Sequence, residues 1–282
     1  MLLSLLRFGT QVFPPSFFCP GCHLPTWKTV CDPCQKSLYW NHKILPAPFP
    51  GLEGAAPLLY SFHRTQKLIR HWKEHQGTEL RRILMKMPMP LQNQLIENHF
   101  FMIVPIPQDQ SRATKRGHES AFEVARFFSE RLKVPILPLL KLKNKRTRRQ
   151  ARLNRFDREF SQNPFQINPE FPDSGAICAQ LQEMVFQGKE IRILLIDDIM
   201  TSGSTLSRAE ATIHELLPHA KIWVGAIGIR PNVLIQASEH PKHQSLGPKF
   251  LTQLKTPENP PLQFESGWQW FQAPLKSQMH QR

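Results

Sequence analysis

The sequence predicts an α/β protein built on a mostly parallel sheet, with a small metal-folded unit in front of it. Three observations predict this. Short, continuous apolar runs alternate with amphipathic helical stretches through the middle of the 282-residue chain. One of those runs stops at two adjacent carboxylates, Asp197 and Asp198. Near the start, four of the five cysteines crowd into one short stretch.

Hydrophobic residues make up 40% and charged residues 21% of the chain, enough to bury one large core and a small accessory unit. The net charge of +14 points to an anionic partner, whether nucleic acid, a phosphorylated metabolite or a membrane surface. The opening "MLLSLLRFGTQVF" is apolar, but Arg7 and Gly9 interrupt it and no charged region precedes it. It therefore reads as an amphipathic helix packed on its own domain rather than a signal peptide, and no stretch is long enough to span a bilayer.

Residues 15–40 read "PSFFCPGCHLPTWKTVCDPCQKSLYW". Cys19 and Cys22 form one CxxC pair, and Cys31 and Cys34 another. Each pair offers two thiolates on a tight turn, and the intervening residues let the turns face each other around a tetrahedral ion. Zinc suits four soft thiolates, and a closed four-ligand site is structural. Metal would fold a segment too small to hold its own core. His23 is a spare ligand type beside the cluster. Two redox dithiols or an iron–sulfur cluster are the rival readings. Clustered rather than paired cysteines fit a metal better than disulfides, so a cytoplasmic location is expected. Cys178 stands outside the cluster and reads as a buried or loop thiol.

From Tyr60 to Met87 the apolar positions Leu68, Ile69, Trp72, Leu80, Ile83, Leu84 and Met87 recur mostly at helical spacing, with Gly77 as a divider and Pro88 and Pro90 as the end. Then "FFMIVPIP" (100–107) predicts a buried strand, "HESAFEVARFFSERL" (118–132) a helix, and "VPILPLL" (134–140) a short strand. "IRILLID" (191–197) predicts a strand, "TLSRAEATIHELL" (205–217) a helix and "KIWVGAIGI" (221–229) a last strand. Continuous apolar strands alternating with amphipathic helices argue for a parallel sheet covered on both faces. After Arg230 the pattern dissolves into a proline-rich, polar tail. The expected organisation is a ribbon with an apolar leader at 1–45, a helical link at 46–92, the α/β domain at 93–230 and the tail at 231–282.

In an open parallel sheet, ligands bind beyond the carboxyl ends of the strands. Asp197 and Asp198 lie at such an end. Thr201, Ser202, Gly203, Ser204 and Thr205 follow and lead into a helix N-terminus, where free amides and the helix dipole favour a phosphate. Gly203 permits close backbone approach, and the hydroxyls add donors. The two carboxylates suit sugar hydroxyls, or a divalent cation that those hydroxyls also ligate. An acid pair beside a phosphate cradle describes a ribose 5-phosphate site. A receiver domain would carry its acids near the start of the fold, and a P-loop would need GxxxxGK[ST], which is absent. The plain alternative is an acidic turn followed by a helix capped by Ser202 or Ser204.

"ILLIDDIMTSGST" is similar to the phosphoribosyl pyrophosphate (PRPP) motif of type I phosphoribosyltransferases, with Ser202 where that motif usually has a second threonine. The wider chain resembles the ComF family of competence-associated proteins over roughly residues 1–230. The likeness is carried by the double CxxC, "LIRHWKEHQ", "VPIPQDQSRATKRGHES", "KRTRRQARLNR" and the PRPP motif. The family's Arg-Gly-Phe-Asn-Gln stands here as Arg116, Gly117, His118, Glu119 and Ser120. The resemblance implies a type I phosphoribosyltransferase-like domain behind a zinc ribbon and a part in uptake or processing of transforming DNA. By motif matching, Asp197 and Asp198 would contact the ribose hydroxyls or Mg²⁺ and act as the catalytic pair, and Thr201 to Thr205 would hold the 5-phosphate. Arg112, Lys115 and Arg116, after the "VPIP" strand, are candidates to meet the leaving pyrophosphate, with a solvated basic loop as the alternative.

"KLKNKRTRRQARLNRFDR" (141–158) carries nine Lys or Arg and one acid. It reads as a lid over pyrophosphate, as a track for single-stranded DNA phosphates, or as a solvated face. Two functions therefore remain in view. One is a ComF-like PRPP/Mg²⁺-binding protein with pentosyl-transfer chemistry. The other is a non-catalytic zinc-ribbon adaptor that binds single-stranded DNA or a DNA-uptake helicase.

Overall fold

The computed structural model describes residues 18–75, 78–109, 114, 117–143, 163–168, 180, 181, 183, 184, 186–201, 203–230 and 233, which belong to the unit Met1–Glu239. The apolar start (1–17), Gly77, Arg112, Lys115, Arg116, the basic run beyond Lys143, Cys178, Ser202 and the tail after Arg230, Val233 apart, lie outside the described residues.

The protein is α/β with a mostly parallel mixed sheet. Its centre is four parallel strands in the spatial order β3 (Gly54–Tyr60), β9 (Lys221–Ile229), β7 (Arg192–Ile196) and β4 (Met102–Pro105). In β7, Ile193 to Ile196 are all buried. Leu194 and Ile196 join one core cluster, so the alternating Ile193 and Leu195 face the other way and are buried there too. This two-sided burial is what a continuous apolar run signals. The strand faces Ile222 and Gly225 of β9 on one side and Met102 and Pro105 of β4 on the other. A Cβ at Gly225 would lie 2.6 Å from Ile196 Cδ1 and 3.2 Å from Phe128, so glycine lets β9 pass beneath that ring.

Two short antiparallel strands, β1 (Tyr39–Trp40) and β2 (Leu45–Pro46), pair with β3, and β8 (Ile199–Met200) runs parallel to the end of β9. The strand β3 falls in the stretch expected to be helical link. Its sequence, GAAPLLY, lacks β-branched residues and includes a proline; burial against β9, rather than propensity, holds it extended. The expected strand at 134–140 is reduced to one bridge between Ile136 and Ile103. Pro135 and Pro138 remove the donors a ladder needs. Regular pairing resumes as β5 (Leu140–Leu142), antiparallel to β6 (Phe165–Ile167).

Six helices complete the described elements: α1 (Asp32–Lys36), α2 (His63–His75), α3 (Thr78–Leu84), α4 (Met89–Glu97), α5 (Ser120–Leu132) and α6 (Ser204–Leu216). Pro88 and Pro90 do not simply end the helical region. Pro88 caps α4 and Pro90 sits in its first turn, where no amide donor is required. In α2, Thr65, Leu68, Ile69 and Trp72 are buried, and in α5, Val124, Ala125, Phe127 and Phe128. One cluster joins Leu68, Trp72, Leu80, Leu91, Phe128, Leu194 and Ile227 with Cys19 and Cys34. The cysteine unit and the sheet thus share a core. Among the described residues, no helix is long and apolar enough to cross a membrane.

Candidate functional site

The four sulfurs of Cys19, Cys22, Cys31 and Cys34 lie within 4.8 Å of one another, and the Cys22 and Cys31 thiols are hydrogen-bonded at 3.5 Å rather than joined by a disulfide. A tetrahedron with zinc–sulfur distances of about 2.3 Å has edges of about 3.8 Å, so the donor set fits zinc. The turns are built locally. The Cys19 carbonyl accepts from His23 N at 2.7 Å, and Cys31 is the N-cap residue of α1, with Pro33 in its first turn. His23 is exposed and is not part of the ligand group. Burial opposes ionisation at Cys19, but backbone hydrogen bonds from Cys31, Cys22 and Gly21 and a bond with the Cys31 thiol bring it down to about 7. Burial pushes Cys31 up to about 11 and Cys34 well above the ordinary thiol range. One thiolate thus forms readily and its neighbours resist a second charge, a penalty that a bound cation removes.

The acid turn lies at the carboxyl end of β7, between two parallel neighbours. It remains tethered to β9: Asp197 N donates to Gly225 O at 3.1 Å, and Ile227 N to Asp198 O at 3.1 Å. Asp198 is 6% exposed. Its Oδ2 accepts from Lys73 Nζ at 2.6 Å, Ser120 Oγ at 2.6 Å and Gln108 Nε2 at 3.1 Å. Asp197 is partly exposed, and its Oδ1 accepts from Asp198 N at 2.7 Å. Burial, and next the charge of Asp198, push the Asp197 carboxyl up to about 7, against the Asp198 amide and Lys73. All three side-chain donors converge on one oxygen of Asp198. Among the described residues, Asp198 Oδ1 and Asp197 Oδ2 accept no hydrogen bond. A carboxyl pair that resists double ionisation is relieved by a nearby positive charge, and its hard oxygens are of the type that divalent cations take.

Beyond the acids, the chain turns through Gly203 at φ 73° and enters α6. Gly203 is the N-cap residue and makes no side-chain cap, and a helix N-terminus favours an anion through its amides and dipole. Thr201, Ser204 and Thr205 are exposed around this turn, whereas Gly203 is buried. The ring of Phe49, from the segment between β2 and β3, lies where a Cβ on Gly203 would be. Of the residues expected at this turn, Asp197, Asp198, Thr201, Gly203, Ser204 and Thr205 lie along the connection from β7 into the first turn of α6. Ser202, Arg112, Lys115 and Arg116 lie outside the described residues.

Sequence reasoning gave no site role to Lys73, Gln108, Ser120 or Phe49. Lys73 had a signal: it stands four residues after buried Ile69, at the rim of the apolar stripe of α2, where a lysine needs a reason. Gln108 and Ser120 are ordinary loop and helix-start residues, and only the tertiary fold brings them together. Comparison with protein-family models and with curated proteins finds no match for this chain.

Proposed function

We propose that this chain is a ComF-like protein whose α/β unit, a type I phosphoribosyltransferase-like domain, binds PRPP with Mg²⁺ at the acid turn. The observation that carries the reading is the pairing of Asp197 and Asp198 at the end of a central parallel strand with an uncapped helix N-terminus at Gly203. Asp197 and Asp198 would accept from the ribose hydroxyls or hold the cation. Ser120 and Gln108 fix the Asp198 carboxylate. The Gly203 turn and the hydroxyls of Thr201, Ser204 and Thr205 take the 5-phosphate. When bound, Mg²⁺ supplies positive charge that stabilises a departing pyrophosphate. Pentosyl transfer then requires a nucleophile, and release of pyrophosphate on adding candidate bases identifies it.

The test is titration of the zinc-loaded protein with PRPP and Mg²⁺, with pyrophosphate followed in parallel. Asp197→Asn and Asp198→Asn are each expected to weaken PRPP binding by on the order of 100-fold. Unchanged affinity in both variants removes the assignment.

A second reading, a DNA-processing adaptor, is favoured by one observation. An open cleft of about 510 Å³ is lined by Arg81, Arg82, Lys86 and Arg131 over Phe127, Met85 and Met87. Arg131 lies over the Phe127 ring at 5.5 Å. A cluster of cations suits the phosphates of single-stranded nucleic acid. Replacing Arg82 and Lys86 with glutamine should then weaken single-stranded DNA binding and reduce its log–log salt slope by about 1.4. An unaltered slope excludes this cleft.

A further inference from the structure

Among the described residues, Lys73 is the basic side chain that pairs with the acid turn, and its setting suggests a role beyond neutralising charge. It shares Asp198 Oδ2 with Ser120 and Gln108. Those two are also joined to each other, by Gln108 Nε2 to Ser120 Oγ at 2.6 Å and Ser120 N to Gln108 Oε1 at 3.2 Å. The carboxylate therefore stays positioned if the ammonium leaves. The backbone that carries Lys73 is fixed: Ile69 is fully buried, and Trp72, at 1% exposure, meets the His118 ring edge-on at 5.6 Å. The Lys73 side chain itself is 22% exposed, so the side chain can swing while the helix stays in place.

We propose that Lys73 is an internal counter-ion that holds the cation position on Asp198 until a phosphorylated ligand arrives with its metal, and then turns its charge to that ligand's phosphates. This rests on the PRPP and Mg²⁺ reading of the site and adds an order to it. Free metal must displace a tethered ammonium, which competes at high local concentration. Metal arriving with a polyphosphate meets less opposition, because the displaced ammonium gains a new anion. Metal binding alone is weak as a result, and ligand and metal strengthen each other by the same factor.

The test uses Mn²⁺ as the probe, with bound and free ion distinguished by electron paramagnetic resonance on the full-length zinc-loaded protein, alone and with PRPP. Lys73→Met is expected to bind Mn²⁺ alone roughly tenfold more tightly, and PRPP at saturating Mn²⁺ roughly tenfold more weakly. Lys73→Gln should repeat both shifts if the methionine variant folds poorly, and Lys73→Arg should restore PRPP binding. A purely structural lysine would weaken both affinities when removed. Mn²⁺ affinity that is unchanged or lower in both neutral variants overturns the proposal. Wild-type protein that binds PRPP while the variants match it sinks only the counter-ion role. Wild-type protein that binds no PRPP sinks the site reading, and this inference with it.

Discussion

Cys34→Ser is expected to strip the metal and lower the stability of the zinc-loaded protein by at least about 4 kcal/mol, in the range reserved for loss of a metal or the collapse of a buried network. Two features make the loss large. Structural zinc contributes about 10–16 kcal/mol to the folding of isolated zinc-finger peptides. Here the fully buried Cys19 and Cys34 also belong to the cluster that contains Leu68, Trp72, Phe128 and Leu194, so the damage spreads from the ribbon into the sheet. The measurement is zinc content by mass spectrometry together with denaturant midpoints, with and without a chelator. Wild-type zinc content and midpoint in Cys34→Ser would show that the four sulfurs hold no metal.

Gly203→Ala is expected to cost about 3 kcal/mol and to weaken PRPP binding at the same time. A φ of 73° is left-handed, which costs an alanine about 1–2 kcal/mol. The new methyl also falls within the ring of Phe49, and overpacking of this kind adds about 1–3 kcal/mol. The two contributions separate in a double-mutant cycle. Phe49→Ala should relieve the packing part in the Gly203→Ala background and leave the backbone part, giving a coupling of about 1–2 kcal/mol. A stability change within about 0.5 kcal/mol of wild type would mean that the turn adapts freely and the cradle is not preformed.

The sequence made the sheet's centre and the acid turn legible because their signals are local. A buried parallel strand reads as an unbroken apolar run, and β7 and β9 were visible for that reason. The CxxC spacing and the Asp–Asp–Gly order likewise encode their geometry within a few residues. Lys73, Gln108 and Ser120 reach Asp198 from sequence separations of 125, 90 and 78 residues, and no local period records such a meeting. The strand β3 escaped because Pro57 and its small neighbours carry no strand preference of their own. Phe49 lies in a proline-rich loop whose composition suggests only a turn, yet its ring sets the limit on what residue 203 can be.

The helix α2 has a mechanical consequence. A Cβ on Gly21 would meet Cys34 Sγ at 2.9 Å and Leu68 at 3.3 Å, so Leu68 rests against the knuckle of the sulfur cluster. Five residues along, about 7.5 Å of helix rise, Lys73 grips Asp198. Buried Ile69 and Trp72 lie between them, which makes that span a stiff rod and not a hinge. A shift of the knuckle that displaces Leu68 therefore carries the lysine with it. The cysteine cluster and the acid turn are thus joined by one stiff helix, and the alignment of Lys73 with Asp198 is expected to follow the integrity of the cluster.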